Sequence, residues 1–142
     1  MPNVPGNGPN AARYTLCAGN ETIRDNVSGL VWQAVVDATA TGRKTWQDAK
    51  TYCAGLTLAG GGWRLPSRIE LVSILDVTQP SGNAQIDFFT FPITPDEPFW
   101  TSSPVVGSPT TAWAVYFQST GPQAGRVISY DITGVQRVRC VR

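Results

Sequence analysis

The chain of 142 residues contains no histidine, and this absence removes several classes of function. Histidine is the commonest general base and the commonest transition-metal ligand in proteins. A Ser-His-Asp triad, a Cys-His pair and a histidine-based zinc site are therefore excluded.

Charge is also scarce, because only 15% of the residues are charged and the formal net charge is +1. This near-balance provides no general electrostatic attraction for nucleic acid or for an anionic membrane, although it is compatible with a local cationic patch, and we expect no nucleic-acid partner. No apolar run approaches the roughly 20 residues that a membrane-spanning helix needs. The opening MPNVPGNGPN lacks the basic and apolar regions of a signal peptide, so we expect Met1 to begin a mature fragment.

The domain organisation follows from length and composition. Residues 1–12 are rich in Pro, Gly and Asn and predict a flexible lead-in or linker. Residues 13–142 suit a single domain with one hydrophobic core.

Cysteine is limited to Cys17, Cys53 and Cys140, and no two of them form a CxxC pair, so a zinc knuckle is not expected. The wealth of Gly, Pro, Thr, Ser and Trp, with only two Lys, is typical of secreted proteins. We therefore expect an extracytoplasmic location and one disulfide. The alternative is a cytosolic domain with three buried thiols.

Two helices are predicted from their capping residues. Thr45 with Asp48 begins the first helix, on which Trp46, Ala49, Cys53 and Leu56 form one stripe.

The second helix follows the glycine-rich stretch GGGWRLPSRIELVSIL, residues 60–75, and begins at Ser67 with Glu70 completing a capping box. Its predicted inward face is Ile69, Val72 and Leu75. Arg64 and Arg68 have no evident structural task, although internal pairing is foreseen for Arg64.

The remaining segments predict strands and one long loop. A short strand within 13–19 precedes a hairpin with arms at 22–25 and 30–36, and an antiparallel meander is predicted over 99–103, 112–117, 126–131 and 135–142. The proline-rich residues 77–98 predict a loop, and loops of this length are often functional.

Side-chain alternation places Val138 and Cys140 on one face of the last strand, and Arg137, Arg139 and Val141 on the other. Because Cys53 and Cys140 would both point inward, we predict a disulfide between them. Cys17 would then be buried, unpaired or a bridge to another chain.

Several motifs occur in a recognisable order: TIRDNVSGLVWQ (22–33), TWQDAKTYC (45–53), GGWRLPSRIEL (61–71), FPITP with FWTSS (91–103), AWAVYF (112–117) and VRCVR (138–142). Over residues 13–142 the chain resembles the bacterial domain family typified by the C-terminal domain of the Legionella collagen-like adhesin. The resemblance implies an α+β, C-type-lectin-like fold, with two helices packed on a twisted antiparallel sheet and a long loop region. It also implies a disulfide at Cys53 and Cys140.

The resemblance further implies a secreted or surface-displayed bacterial protein. The adhesin that typifies the family binds sulfated polysaccharides as a trimer, and some relatives carry hypervariable ligand-contacting positions. This chain departs from sugar-binding C-type lectins, because Gln79-Pro80 is followed by Ser81 and a Trp-Asn-Asp motif is missing. We therefore predict no cofactor, with a different calcium site at Asp87, Asp96 and Glu97 as the alternative.

The favoured function is a non-enzymatic extracellular recognition domain that binds a glycan or another cell-surface ligand as the tip of an adhesin. The candidate contacts are Asp87, Asp96, Glu97, Trp100, Tyr116, Arg126, Tyr130, Arg137 and Arg139. In the alternative interpretation, the arginines form a solvated or trimer-facing sheet surface. A diversified domain that binds a protein receptor, or a structural module that forms a homotrimer, is the alternative function.

An enzyme is the least favoured class. Formylglycine-generating enzymes share a lectin-like fold but need a reactive cysteine pair with copper, whereas Cys53 and Cys140 are assigned to a bridge. Asp96 and Glu97 are adjacent in sequence, and neighbouring carboxylates rarely flank one glycosidic bond. We therefore predict that the domain is not an enzyme.

Overall fold

The computed structural model describes residues 13–142, apart from residues 18, 20, 81 and 119–124. The predicted lead-in, residues 1–12, lies outside the described residues. Within the described part, the strands form two three-stranded antiparallel sheets, in each of which the strands follow one another in chain order. The strands are Tyr14–Leu16 (β1), Thr22–Asp25 (β2), Val31–Gln33 (β3), Pro98–Pro104 (β4), Thr111–Tyr116 (β5) and Val127–Asp131 (β6). The predicted α+β class is confirmed, while the relation to C-type lectins stays a prediction.

Both helices begin where their capping residues predict. Helix α1 spans Trp46–Gly55, and the Thr45 side chain accepts a hydrogen bond from the Asp48 amide. Helix α2 spans Arg68–Ser73 and opens with the complete capping box of Ser67 and Glu70. Between the helices, Gly60, Gly61 and Gly62 all have positive φ, a conformation that costs glycine little and other residues more.

The predicted inward face of α2 is wrong for Ile69 and Val72 but right for Leu75, which packs against the buried cluster that contains Leu71. Leu71 and Ile74 are buried, whereas Ile69 is 78% exposed and Val72 is exposed. Leu71, Ile74 and Leu75 also have helical stripe spacing, so the six-residue helix offers two competing apolar faces. The backbone bonds between Arg64 and Val141 fix how the chain enters the helix, and sequence spacing cannot report this contact.

The second sheet has a hydrophobic cluster on each face, because its inward residues alternate along β4 and β5. Phe99, Val115 and Phe117 join one cluster, with Leu71 of α2. Trp100, Ala112 and Ala114 join the other, which also contains Ala49 and Cys53 of α1. Helices α1 and α2 therefore cover opposite faces of this sheet.

The C-terminal segment, residues 136–142, connects the two sheets without forming a regular strand. It makes isolated bridges from Gln136 to Lys44, from Arg137 to Phe99, and from Val141 to both Trp32 and Arg64. The predicted strand at 135–142 is therefore wrong, because each short stretch meets a different partner and no ladder continues.

The predicted alternation along this segment is confirmed. Val138 and Cys140 belong to the α1-side cluster and Val141 to the other. The disulfide between Cys53 and Cys140 is present, and Cys17 is a free, partly exposed thiol.

Candidate ligand-binding surface

Arg139, a predicted ligand contact, is fully buried. Its Nη1 donates to the carbonyl oxygens of Gln33 and Ala34 at 2.6 and 2.9 Å. Its Nη2 donates to the Ile93 carbonyl at 3.1 Å and to Thr94 Oγ1 at 2.9 Å. One guanidinium thus fastens the long loop to the end of the first sheet.

The surroundings of Arg139 are aromatic as well as polar. The guanidinium carbon lies 4.9 Å from the ring centroid of Phe91 and 5.7 Å from that of Phe99. Burial lowers the pKa of Arg139 to about 9, which still leaves it cationic at neutral pH. The carbonyl oxygens and ring faces therefore offset part of its desolvation.

Arg137 and Glu97, two further candidates, belong to an internal ion-pair group. Arg137 is buried, donates from Nε and Nη2 to the Glu97 carboxylate, and donates from Nη1 to the Asp37 and Thr39 carbonyls. Arg43 binds the same carboxylate with two bonds of 2.7 Å. These pairs, with Arg43 contributing most, lower the pKa of Glu97 to about 2.

The expectation that the arginines of the last segment form a solvated or trimer-facing surface is therefore wrong. Arg139 is covered by Phe91, Ile93 and Thr94 of the loop after α2. Arg137 is covered by Glu97 and by the backbone of Asp37 and Thr39. Sequence alternation identifies this face correctly, but it does not reveal what packs on it.

Trp100 and Asp87 are also buried. The Trp100 indole donates from Nε1 to the Lys44 carbonyl at 2.8 Å. Asp87 accepts hydrogen bonds from the amides of Phe89 and Thr90, which shape the loop around Phe91. Both side chains have structural partners inside the domain.

The other candidates lie nearer the surface, and three of them share one face of the second sheet. Tyr116 lies opposite Arg126, since its amide donates to the Arg126 carbonyl at 2.8 Å, and Tyr130 lies farther along β6 opposite Ala112. Ile128 lies between Arg126 and Tyr130 on the same face. We call Tyr116, Arg126, Ile128 and Tyr130 the tyrosine face. Asp96 is exposed and lies outside it, on the loop before β4.

The tyrosine face is anchored from below. The Tyr130 ring meets Trp100 edge-on, with 6.4 Å between ring centroids. Burial, and to a smaller extent Tyr116, raises the pKa of the Tyr130 phenol. Tyr130, Tyr116 and Ile128 are each partly exposed, and Arg126 is exposed. The arrangement offers half-buried rings, phenol hydroxyls and one guanidinium on a rigid sheet.

A second surface feature, on the opposite face of the sheet, was missed by the sequence analysis. A depression of about 400 Å³ is lined by Arg68, Ile69, Val72, Ser73 and Val127. A second depression of about 340 Å³ shares Arg68 and Ile69 and extends to Ser103, Val105, Val106 and Trp113. We call the two together the α2 cleft. The one sequence signal for it was Arg68, which had no structural task, whereas Arg64 does pair with Glu70 as foreseen.

Among the described residues, no group of three or more His, Cys, Asp or Glu side chains lies close enough to hold a metal ion. The carboxylates of the alternative calcium site have separate structural partners, because Glu97 binds two arginines and Asp87 caps a loop turn. None of the helices in this part of the chain has the length and apolarity needed to cross a membrane.

Among known proteins, no curated protein matches the chain, but one family model does. The model of the Lcl C-terminal domain family matches residues 21–142, which include both sheets apart from β1, both helices and the disulfide. The chain therefore belongs to the Lcl C-terminal domain family.

Proposed function

We propose that this domain is a non-enzymatic extracellular recognition module of the adhesin type, and that it binds a glycan on the tyrosine face. The observation that carries the proposal is that the paired residues Tyr116 and Arg126 share one rigid sheet face with the half-buried Tyr130. Sugar rings stack their apolar C–H faces on aromatic rings, while hydroxyl and acidic groups take hydrogen bonds from phenols and guanidinium groups.

Rigidity supports this assignment. The face is built on strands β5 and β6 and is supported by Trp100 and the adjacent disulfide-linked cluster. A preformed surface loses little conformational entropy when a ligand binds. The disulfide and the adhesin-related family also support an extracellular or cell-surface location.

The low pKa values of two carboxyl groups favour a binding role over glycoside hydrolysis. Glu70 and Glu97 each accept paired hydrogen bonds from arginine, and the pKa of each is lowered to about 2. A glycosidase needs a carboxylic acid that is protonated near the working pH, which these two groups do not provide. We expect no turnover on a panel of glycosides.

A glycan array of neutral and acidic glycans, followed by calorimetry with the best ligand, tests the proposal. We expect Tyr116→Ala and Arg126→Ala each to weaken binding about tenfold or more, as loss of a central contact does. Arg24→Ala is the matched control, because Arg24 is exposed on the other sheet. An array without any ligand, or equal binding by Arg126→Ala and Arg24→Ala, would overturn the proposal.

A further inference from the structure

The α2 cleft has the features of an interaction surface rather than of an ordinary stretch of protein exterior. Ile69 is 78% exposed and Val106 is 98% exposed, and Val72 is exposed beside Ile69. Single exposed apolar residues are common, but contiguous groups around a depression mark interaction sites. Ile69 and Val106 both line the same depression.

The walls of the cleft are held in place by hydrogen bonds. The Arg68 amide donates to Ser103 Oγ at 3.0 Å, and the Ser102 amide donates to the Pro66 carbonyl at 2.7 Å. The capping box and the paired bonds from Arg64 to Glu70 fix the first turn of α2. The depression is therefore preformed, so a partner is not required to order it.

Arg68 is the one charged residue among those that line the cleft. The ion pairs of the described residues engage Arg13, Arg43, Arg64 and Arg137, and Arg68 does not take part in them. Its guanidinium lies over the Trp113 ring, 5.2 Å from the centroid. A carboxylate on a partner would complement this cation, and the surrounding apolar side chains would strengthen the pair.

The neighbouring strand β6 gives the partner a backbone to bind. It is an edge of its sheet, with β5 on one side and no other strand of the described residues on the other. Bonds from the Tyr116 amide to the Arg126 carbonyl and from the Ile132 amide to the Thr110 carbonyl set the pairing. By the alternation of an antiparallel pair, the amide and carbonyl groups of Val127 and Ser129 point away from β5.

We propose that the α2 cleft and the edge of β6 together form a protein-docking site for an extended segment in which aliphatic side chains flank an Asp or Glu. The segment adds to β6 as a further strand, as exposed sheet edges allow. Every second side chain then enters the cleft beside Val127, Ile69 and Val72, and the carboxylate pairs with Arg68. Anionic membranes are recognised by clusters of basic residues, which this surface does not have, so a protein is favoured.

Selection from a random dodecapeptide phage library on the immobilised domain tests this inference. We expect the selected peptides to combine aliphatic residues with Asp or Glu, and synthetic copies to shift the amide resonances of Val127 and Ser129. Arg68→Ala and Ile69→Asp are expected to weaken these peptides about tenfold or more. Val135→Asp is the control and is expected to have no effect on peptide binding, because Val135 is a half-exposed valine that does not line the cleft.

Arg68→Glu provides a further check, because it is expected to select basic peptides in place of acidic ones. Peptides that bind wild type and Ile69→Asp equally would overturn the inference, and so would selected peptides without acidic residues. Concentration-dependent self-association abolished by Ile69→Asp, or binding of phosphatidylserine vesicles through Arg68, would assign the surface to a second copy or a membrane instead. Tyr116→Ala is expected to leave peptide binding intact, which separates this test from that of the glycan site.

Discussion

Arg137 and Glu97 are 40 residues apart in sequence, yet they meet in two hydrogen bonds of 2.9 and 3.1 Å. The pair ties the C-terminal segment to the residue that precedes β4. Because Arg43 binds the same carboxylate from outside, Glu97 is the shared counter-charge of a buried cation and an exposed one. Glu97 therefore has a structural role in the fold, which its position on a proline-rich loop does not indicate.

Replacing Glu97 by Gln is therefore expected to destabilise the fold. The variant leaves the buried Arg137 guanidinium without a counter-charge, and we expect the free energy of unfolding to fall by about 1–3 kcal/mol. Urea titration followed by tryptophan fluorescence measures the change. Glu21→Gln, at an exposed carboxylate without such a pair, is the control; equal stability of the two variants would contradict the interpretation.

Acid is expected to weaken the domain below about pH 4.5. The pKa values of Glu70 and Glu97 are lowered from 4.5 to about 2, chiefly by hydrogen bonds from Arg64 and Arg43 respectively. The unfolded chain therefore binds more protons than the native one between these pH values, so stability is full above this range and falls as pH decreases. Melting temperatures measured from pH 7 to pH 2 should decline, and the decline should be shallower in Glu97→Gln. A flat profile would show that these pairs do not contribute to stability.

Two substitutions on α2 test which of its faces is inward. Leu71→Ala should lower the free energy of unfolding by about 2–5 kcal/mol, since Leu71 is fully buried and the change leaves a cavity. Ile69→Ala should change it by less than about 0.5 kcal/mol, because Ile69 is mostly exposed. Chemical denaturation of the two variants measures both changes. A larger loss of stability from Ile69→Ala than from Leu71→Ala would show that Ile69, as the sequence predicts, faces inward.

We expect the disulfide between Cys53 and Cys140 to stabilise the folded domain strongly. It joins residues 87 apart, and the loop-closure model gives a stabilisation of about 4–5 kcal/mol. Reduction, or Cys53→Ala with Cys140→Ala, should lower the urea midpoint accordingly. Cys17→Ser removes the free thiol and should leave the midpoint unchanged. A non-reducing peptide map in which Cys53 and Cys140 are both free would contradict the assignment.

Arg139→Lys is expected to destabilise the domain by about 2–4 kcal/mol despite keeping the positive charge. A lysine ammonium cannot place donors on Gln33, Ala34, Ile93 and Thr94 at once, as the guanidinium fork does. Proteolysis within the long loop should also accelerate, because Ile93 and Thr94 lose their attachment to the first sheet. Arg126→Lys, at an exposed arginine, is the control and should match wild type.

Local signals account for the parts of the fold that could be read from the sequence. Thr45 and Ser67 cap the helices through contacts within three residues, and the arms of the first hairpin are joined by a turn that closes at Gly29. The disulfide was also accessible, because period-2 and period-3.6 spacing each placed one cysteine inward. These features depend on neighbours along the chain, which the sequence displays.

The errors arise where a distant segment decides the environment. Nothing near Arg139 in sequence shows that Phe91 and Ile93 cover it, and nothing near Ile69 shows that Leu71 is the residue that meets β5. The α2 cleft was missed for the same reason, since Val106 and Val127 reach Ile69 only through the tertiary fold. Of the ligand contacts predicted from the sequence, four lie in the interior and two, Asp96 and Glu97, lie on the loop before β4. The remaining three, Tyr116, Arg126 and Tyr130, lie together on the tyrosine face.

The bridges from residues 136–142 have a consequence for the order of events during synthesis. Cys140 and Val141 supply parts of both hydrophobic clusters, and the backbone of this segment lies between Trp32 and Arg64. A ribosome releases this segment after every other element described in the fold. Until then the first sheet and both helices lack a shared partner, so we expect the nascent chain to stay open until that segment is synthesised.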